Sequence, residues 1–126
     1  MPPANHNRWD CKDDVGKIFK KVGGSTFQLE YVVDDKPTNY CVAGATKKKG
    51  FKKGSQFYLW KCVSGDDTQL FTRDGGMHLK FVHSYSNEDK EYKLCMDAHG
   101  TSDGSPVKAN ECIDGDNHQK WKLYPN

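Results

Sequence analysis

The chain repeats itself with a period of about fifty residues, and this repeat limits its possible folds more than any other feature. The segment from Cys112 to Trp121 has a degenerate copy fifty positions upstream, from Cys62 to Phe71. A third, weaker copy begins at Cys11. Three copies at one period indicate repeated supersecondary units that bury a common core.

Each repeat unit contains short runs in which apolar and polar residues alternate. Such runs occupy residues 26–32 and 77–82, and each is followed by a second cysteine-containing run, at Cys41 or Cys95. Alternation over this length is typical of half-buried β-strands, and no segment shows a convincing helical period. The unit therefore reads as a strand, a strand with a cysteine, a strand ending at a cysteine and a last strand, which predicts an all-β chain.

A Gln-x-aromatic motif marks the last strand of the unit. Gln119 and Trp121 carry it in full, while Gln69 and Phe71 carry it with phenylalanine in place of tryptophan. In the first copy only the aromatic residue remains, as Phe19. This order of strands, cysteines and motif resembles the ricin B-chain type of lectin repeat, whose three copies close a β-trefoil. The resemblance covers nearly the whole chain and is strongest in the last repeat. We assign Phe19, Phe71 and Trp121 to the core. Gln69 and Gln119 are expected to brace the turn.

The resemblance implies one β-trefoil-like domain with an incomplete first repeat. A length of 126 residues suits a single compact domain and is short for two. The domain would span residues 1–126, with a partial first repeat at 1–24, a second at 25–76 and a third at 77–126. About ten strands are expected where a full trefoil has twelve, because the first pair is missing.

Four of the five cysteines fall into two matched pairs, and the repeat pairs Cys41 with Cys62 and Cys95 with Cys112. Their spacings suit neither close-paired zinc ligands nor a redox Cys-x-x-Cys motif. Two disulfides in a short chain favour an oxidising compartment, so we expect a secreted protein. Cys11 is left over, which leaves three alternatives open: a longer natural N-terminus that supplies its partner, a disulfide-linked dimer, or a free thiol.

In lectins of this type an Asp after the first cysteine binds sugar hydroxyls, and an aromatic residue two positions before the second cysteine stacks on the sugar. An amide beside the Gln-x-Trp motif adds hydrogen bonds. In the third repeat these positions hold Asp97, Asn110 and His118, with Asn117 next to the last. The resemblance thus predicts a weakened carbohydrate site at these four residues. The alternative role for Asp97 is to cap a turn.

The second repeat keeps the opposite half of such a site. Trp60 stands at the stacking position, but Ala43 replaces the Asp and Thr68 occupies the amide position. Trp60 is therefore a further candidate for carbohydrate binding, since the C–H face of a sugar ring prefers an aromatic platform. Its alternative role is ordinary packing against a neighbouring strand.

A lysine-rich loop between the cysteines of the second repeat is the other candidate site. It contains Lys47, Lys48, Lys49, Lys52 and Lys53. Such a loop can dock on phosphates or on an anionic polymer such as a heparin-like chain. Because the net charge is only +2, a solvated loop without a ligand is the simpler interpretation.

Catalysis finds little support in the sequence. The five histidines have no metal-site spacing and no motif marks a nucleophile, so we expect no metal, no cofactor and no enzyme. A small basic nuclease that uses one His and one Glu is the catalytic alternative left open. No apolar run approaches the roughly 18 residues that a membrane span requires.

Together these features predict a secreted, non-enzymatic binding module whose partner is a glycan or glycoprotein. The competing prediction is a secreted protein-interaction factor, such as an inhibitor, a toxin-like factor or an effector, on a lectin scaffold that has lost sugar binding.

Overall fold

The computed structural model describes residues 19–83, 85–87, 90–98, 107–121 and 123. The predictions made for Cys11 and for most of the partial first repeat lie outside these residues. In the described part the chain forms ten strands. They are β1 (Phe19–Gly23), β2 (Phe27–Val33), β3 (Lys36–Ala43), β4 (Tyr58–Lys61), β5 (Phe71–Arg73), β6 (Leu79–Phe81), β7 (Tyr85–Asn87), β8 (Lys90–Tyr92), β9 (Leu94–Ala98) and β10 (Val107–Glu111).

Eight of these strands form one curled antiparallel sheet. Its order is β10-β9-β6-β5-β2-β3-β4, and β1 pairs with β2 beside this path. Within the described residues, strands β7 and β8 pair only with each other. The strand predicted after Gln119 is not present at Lys120 or Trp121. The all-β prediction is confirmed, although the ten strands are not all the predicted ones.

Aromatic side chains from the repeats meet in one core. Phe19, Phe71 and Trp121, the aromatic residues of the three motif copies, are all fully buried, as predicted. The Phe57 ring lies 5.4 Å from the Phe71 ring and 5.4 Å from the Phe81 ring, measured between centroids. Tilted contacts at this distance add to the free energy of burial. These rings therefore belong to one hydrophobic core shared by the repeats.

Gln69 braces the turn that precedes the last strand of the second repeat. Its side-chain oxygen accepts a hydrogen bond from the Val63 N–H at 2.9 Å, and its amide nitrogen donates to the Lys61 carbonyl at 2.8 Å. Asp66 caps the 3-10 turn Asp67–Gln69 by accepting from the Thr68 N–H at 2.9 Å. Gln69 is fully buried, so these bonds satisfy polar groups that burial would otherwise penalise.

The same bonds recur fifty positions further along. Gln119 accepts from the Ile113 N–H at 2.8 Å and donates to the Glu111 carbonyl at 2.9 Å. Asp116 accepts from the His118 N–H at 2.9 Å at the start of the 3-10 turn Asn117–Gln119. The repeat seen in the sequence is thus a repeat of hydrogen bonds, and the predicted bracing role of both glutamines is confirmed.

Both predicted disulfides are present. Cys41 is bonded to Cys62 and Cys95 is bonded to Cys112, with Cα–Cα distances of 5.0 and 5.1 Å. Each links a strand to the residue that follows its partner strand, because Cys62 comes directly after β4 and Cys112 directly after β10. The covalent link therefore closes each two-strand ribbon near the end where the braced turn begins.

A buried histidine joins the second unit to the third. The His78 side chain is 1% exposed, and its Nδ1 lies 2.8 Å from Asp74 Oδ2. Its Nε2 lies 3.1 Å from the Ile113 carbonyl oxygen, which can only accept. A neutral imidazole carries one N–H, so only the protonated ring donates to both partners. The geometry therefore favours an imidazolium at this position.

Hydrogen bonds shift the pKa values of this pair in opposite directions. Burial alone would lower the pKa of His78, but the bond to Ile113 and the bond and charge of Asp74, with the charge of Asp114, raise it above its ordinary value. Burial alone would raise the pKa of Asp74, yet bonds from the His78 side chain and from the backbone of His78 and Gly76 lower it to about 2. Both shifts stabilise the charged pair in the folded chain.

We expect the free energy of unfolding to fall above neutral pH because of His78. Because the pKa of His78 is raised in the folded chain, its stabilising contribution is fully present below the ordinary histidine value of 6.5. This contribution is lost as the pH rises through the pKa of the folded state. The lowered pKa of Asp74 stabilises above the ordinary 3.8 and is lost as the pH falls towards about 2. Urea unfolding at pH 5.5 and 8.5 measures the free energy of unfolding of the wild type and of His78→Gln. The difference between the two pH values should be much smaller in the variant. His118→Gln, at an exposed histidine, should keep it; an equal loss in both variants would contradict the assignment.

Candidate functional site

The second repeat contains an open pocket of about 310 Å³ between the end of β3, strand β4 and the 3-10 turn Asp67–Gln69. Its walls include Trp60, Asp66, Thr68 and Lys49. Trp60 and Thr68 are the stacking and amide positions that the sequence repeat assigns to a sugar site. The structure thus brings these two positions of the second repeat together around one cavity.

The floor of this pocket is fixed to the core. The Gly44 N–H donates to the Thr68 carbonyl at 2.8 Å, and the Tyr58 hydroxyl donates to the Gly44 carbonyl at 3.3 Å. A Cβ at Gly44 would lie 2.8 Å from the Phe81 ring and 3.0 Å from the Phe51 ring. Only glycine allows the backbone to approach these rings so closely. The backbone on this side of the pocket is therefore held against the core.

Trp60 presents an aromatic face at the wall of the pocket. Its side chain is 54% exposed, which differs from the ordinary packing considered as its alternative role. Its backbone is held rigidly, because Trp60 pairs with Cys41 in the β3–β4 ladder and Cys41 is bonded to Cys62. An exposed ring on a fixed backbone loses little conformational freedom on binding, which favours it as a platform.

The pocket also contains one carboxylate that the motif comparison did not point to. Asp66 Oδ1 accepts from the Thr68 N–H at 2.9 Å and from the Thr68 hydroxyl at 2.7 Å. These bonds orient the carboxylate at the pocket wall, while Ala43 stands where the resemblance would place the acceptor. Sequence reasoning missed Asp66 because a capping aspartate before a turn is usually structural.

In the third repeat the predicted acceptor, Asp97, is hydrogen-bonded to other side chains of the protein. Asp97 is only 5% exposed, and its Oδ2 accepts from Asn110 Nδ2 at 3.0 Å and from Gln119 Nε2 at 3.3 Å. Asn117 and His118 lie on the exposed surface of the adjacent 3-10 turn. The structure brings Asp97 and Asn110 together, but it covers the carboxylate that was predicted to meet the sugar.

The lysine loop, residues 46–54, is anchored by one buried aromatic residue. Phe51 is 7% exposed and its ring lies 5.3 Å from the Phe81 ring, between centroids. Gly50 and Gly54, with φ of 86° and 90°, make the turns on either side of this anchor. Within this loop, the exposed lysines whose side chains the structure describes are Lys48, Lys49, Lys52 and Lys53. The loop thus presents a basic surface on a fixed backbone.

The described part of the chain lacks two further features, a metal-binding cluster and a membrane-spanning helix. No group of three or more His, Cys, Asp or Glu side chains there has a metal-binding arrangement. Within the same residues, no helix combines the length and the apolar character needed to cross a bilayer.

The curled sheet, the disulfide-closed ribbons and the braced aromatic turns define a β-trefoil lectin module. A family model described as "Ricin-type beta-trefoil lectin domain" matches residues 28–126, and the chain belongs to this family. Searches of curated proteins and of solved structures returned no match. The predicted family and fold class are confirmed. The family is one of non-catalytic binding modules, which indicates a carbohydrate-binding role, while the predicted repeat boundaries stay predictions.

Proposed function

We propose that this protein is a secreted carbohydrate-binding module that holds its ligand in the pocket of the second repeat. The observation that carries the proposal is Trp60, which is more than half exposed at the wall of a pocket of about 310 Å³. The two disulfides support the expected secretion, because such bonds persist in oxidising compartments.

The chemistry of the pocket suits one sugar ring. The apolar face of a pyranose would stack on Trp60, and its hydroxyls would donate to the oriented Asp66 carboxylate in charge-assisted bonds. Thr46 and Thr68 also line the pocket and offer hydroxyl groups of their own. A shallow site with one platform and few polar partners binds weakly, which agrees with the weakened site expected from the sequence.

A sugar site in the third repeat stays a prediction, and it would need a rearrangement. Asp97 would have to exchange its bonds with Asn110 and Gln119 for bonds with sugar hydroxyls. Breaking buried hydrogen bonds of a carboxylate costs roughly 1–3 kcal/mol. We therefore place the principal site in the second repeat and assign Asn117 and His118 at most a supporting contact.

Trp60→Ala is expected to weaken glycan binding about tenfold or more, because a lost stacking contact of about 1.4 kcal/mol corresponds to a factor of ten. Glycan-array screening followed by calorimetry with the best ligand measures this. The matched control is Asn110→Ala, fifty positions further along, which should leave binding within about twofold. Loss of binding in Asn110→Ala with retention in Trp60→Ala would move the site to the third repeat.

The second candidate function is a secreted protein-interaction factor that kept the scaffold and lost the sugar sites. It is favoured by Ala43, which removes the expected acceptor, and by the burial of Asp97. Silence on the glycan array together with saturable binding to a purified protein partner would support it. A nuclease is the catalytic alternative, and retention of supercoiled plasmid DNA after incubation with the protein would argue against it.

A further inference from the structure

We infer that the Trp60 pocket selects an anionic sugar, one that carries a sulfate or a carboxylate, and binds the acidic group through Lys49. The inference rests on the proposed function, because it names the ligand class of the same site. Its basis is a juxtaposition: Lys49 belongs to the lysine loop and also lines the pocket with Trp60. Neither the family match nor the sequence motifs place a cation at this site.

Lys49 projects from a backbone that the core holds in place. The Thr46 carbonyl accepts from the Lys49 N–H at 3.0 Å and from the Phe51 N–H at 3.2 Å. Phe51 is in turn fixed by its ring contact with Phe57, 5.2 Å between centroids. The backbone of Lys49 is therefore fixed beside the pocket that this residue lines.

The charged groups of the pocket wall are compatible with an anionic ligand. Among its described lining residues, Lys49 is the only cation and Asp66 is the only carboxylate. Asp66 Oδ1 is engaged by Thr68, which offsets part of its negative potential. Ala43 removes the second carboxylate that a standard site would have, and two carboxylates would repel an acidic ligand.

The rest of the lysine loop extends the same preference along a chain of sugars. Lys48, Lys52 and Lys53 are exposed beside Lys49, so a polymer with regularly spaced acidic groups could contact several of them. Lysine attracts by charge and does not impose the two-pronged geometry of arginine. The site should therefore accept sulfate and carboxylate alike, and its affinity should fall with rising salt.

The test compares immobilised N-acetyllactosamine with its monosulfated and sialylated forms, each at equal density and at two salt concentrations. We expect the two acidic forms to bind up to about fivefold more tightly than the neutral form at low salt, since one exposed charge contact contributes at most about 1 kcal/mol. Lys49→Ser should remove this difference, so that the acidic and neutral forms bind to the variant within about twofold of each other. Lys53→Ser is the matched control: it removes the same charge from the same loop, away from the pocket lining, and should keep most of the preference.

The other outcomes distinguish the anionic preference from the sugar site itself. Equal binding of the three glycans, lost in Trp60→Ala, would overturn the anionic preference and leave the proposed sugar site intact. Equal loss in Lys49→Ser and Lys53→Ser, with no effect of Trp60→Ala, would mean diffuse charge attraction and overturn the inference. No binding of any of the three probes would overturn it together with the proposed site for this glycan.

Discussion

Replacing Trp121 by alanine should lower the free energy of unfolding by about 3–5 kcal/mol, the usual cost of deleting a large buried aromatic side chain. Trp121 is fully buried, its ring lies 5.9 Å from the Phe19 ring, between centroids, and its indole N–H donates to the Met96 carbonyl at 2.9 Å. The variant would lose the ring contacts and leave this carbonyl without its donor. The midpoint of urea unfolding, followed by circular dichroism, measures the change.

The chain offers a matched control for this prediction in Trp60→Ala. Trp60 is 54% exposed, so its removal should change stability by less than about 1 kcal/mol while it weakens glycan binding. Trp121→Ala should lower stability strongly and leave glycan binding unchanged in the fraction that stays folded. If both variants lost the same stability, the division of the tryptophans into a core residue and a platform would be wrong.

Removal of the Cys95–Cys112 disulfide should cost about 3 kcal/mol, since it closes a loop with a sequence separation of 17 residues. Alanine is the suitable replacement at both positions, because Cys95 is fully buried and a hydroxyl there would lack a partner. Urea unfolding without reductant gives the comparison. A change below about 1 kcal/mol would show that the ribbon of β9 and β10 is held without the bond.

Removal of Cys41–Cys62 provides the comparison, with a separation of 21 residues and a similar expected cost of about 3 kcal/mol. Trp60 pairs directly with Cys41, so only this second removal should also weaken binding of the glycan in the remaining folded protein. The two disulfides would then be equivalent for stability and different for function.

The sequence predicted the parts of the fold that the repeat controls. Period and motif were sufficient for the two disulfides, for the buried Phe71 and Trp121, and for the bracing roles of Gln69 and Gln119. Each of these depends on a residue type that recurs at the same offset. The β7–β8 hairpin was not predicted, since it lies in a polar stretch without alternation and has no counterpart in the second repeat.

The candidate site was only partly visible in the sequence. Trp60 was found because its offset from Cys62 is fixed by the repeat. Asp66 and Lys49 were not connected with it, because the pocket joins a turn and a loop whose approach depends on Gly44 and Phe51. For Asp97 the residue type was visible in the sequence but its hydrogen-bond partners were not. These partners decide whether a carboxylate faces a ligand or the protein.

The difference between Trp60 and Asn110 at equivalent places of two repeats limits how the molecule can attach to a surface. Avidity within one polypeptide requires at least two competent sites that engage together. At these positions the second and third repeats have one aromatic platform between them. This pair of repeats would therefore contact a dense layer of glycans through a single site. Firm attachment would then depend on how many copies of the protein gather on that layer.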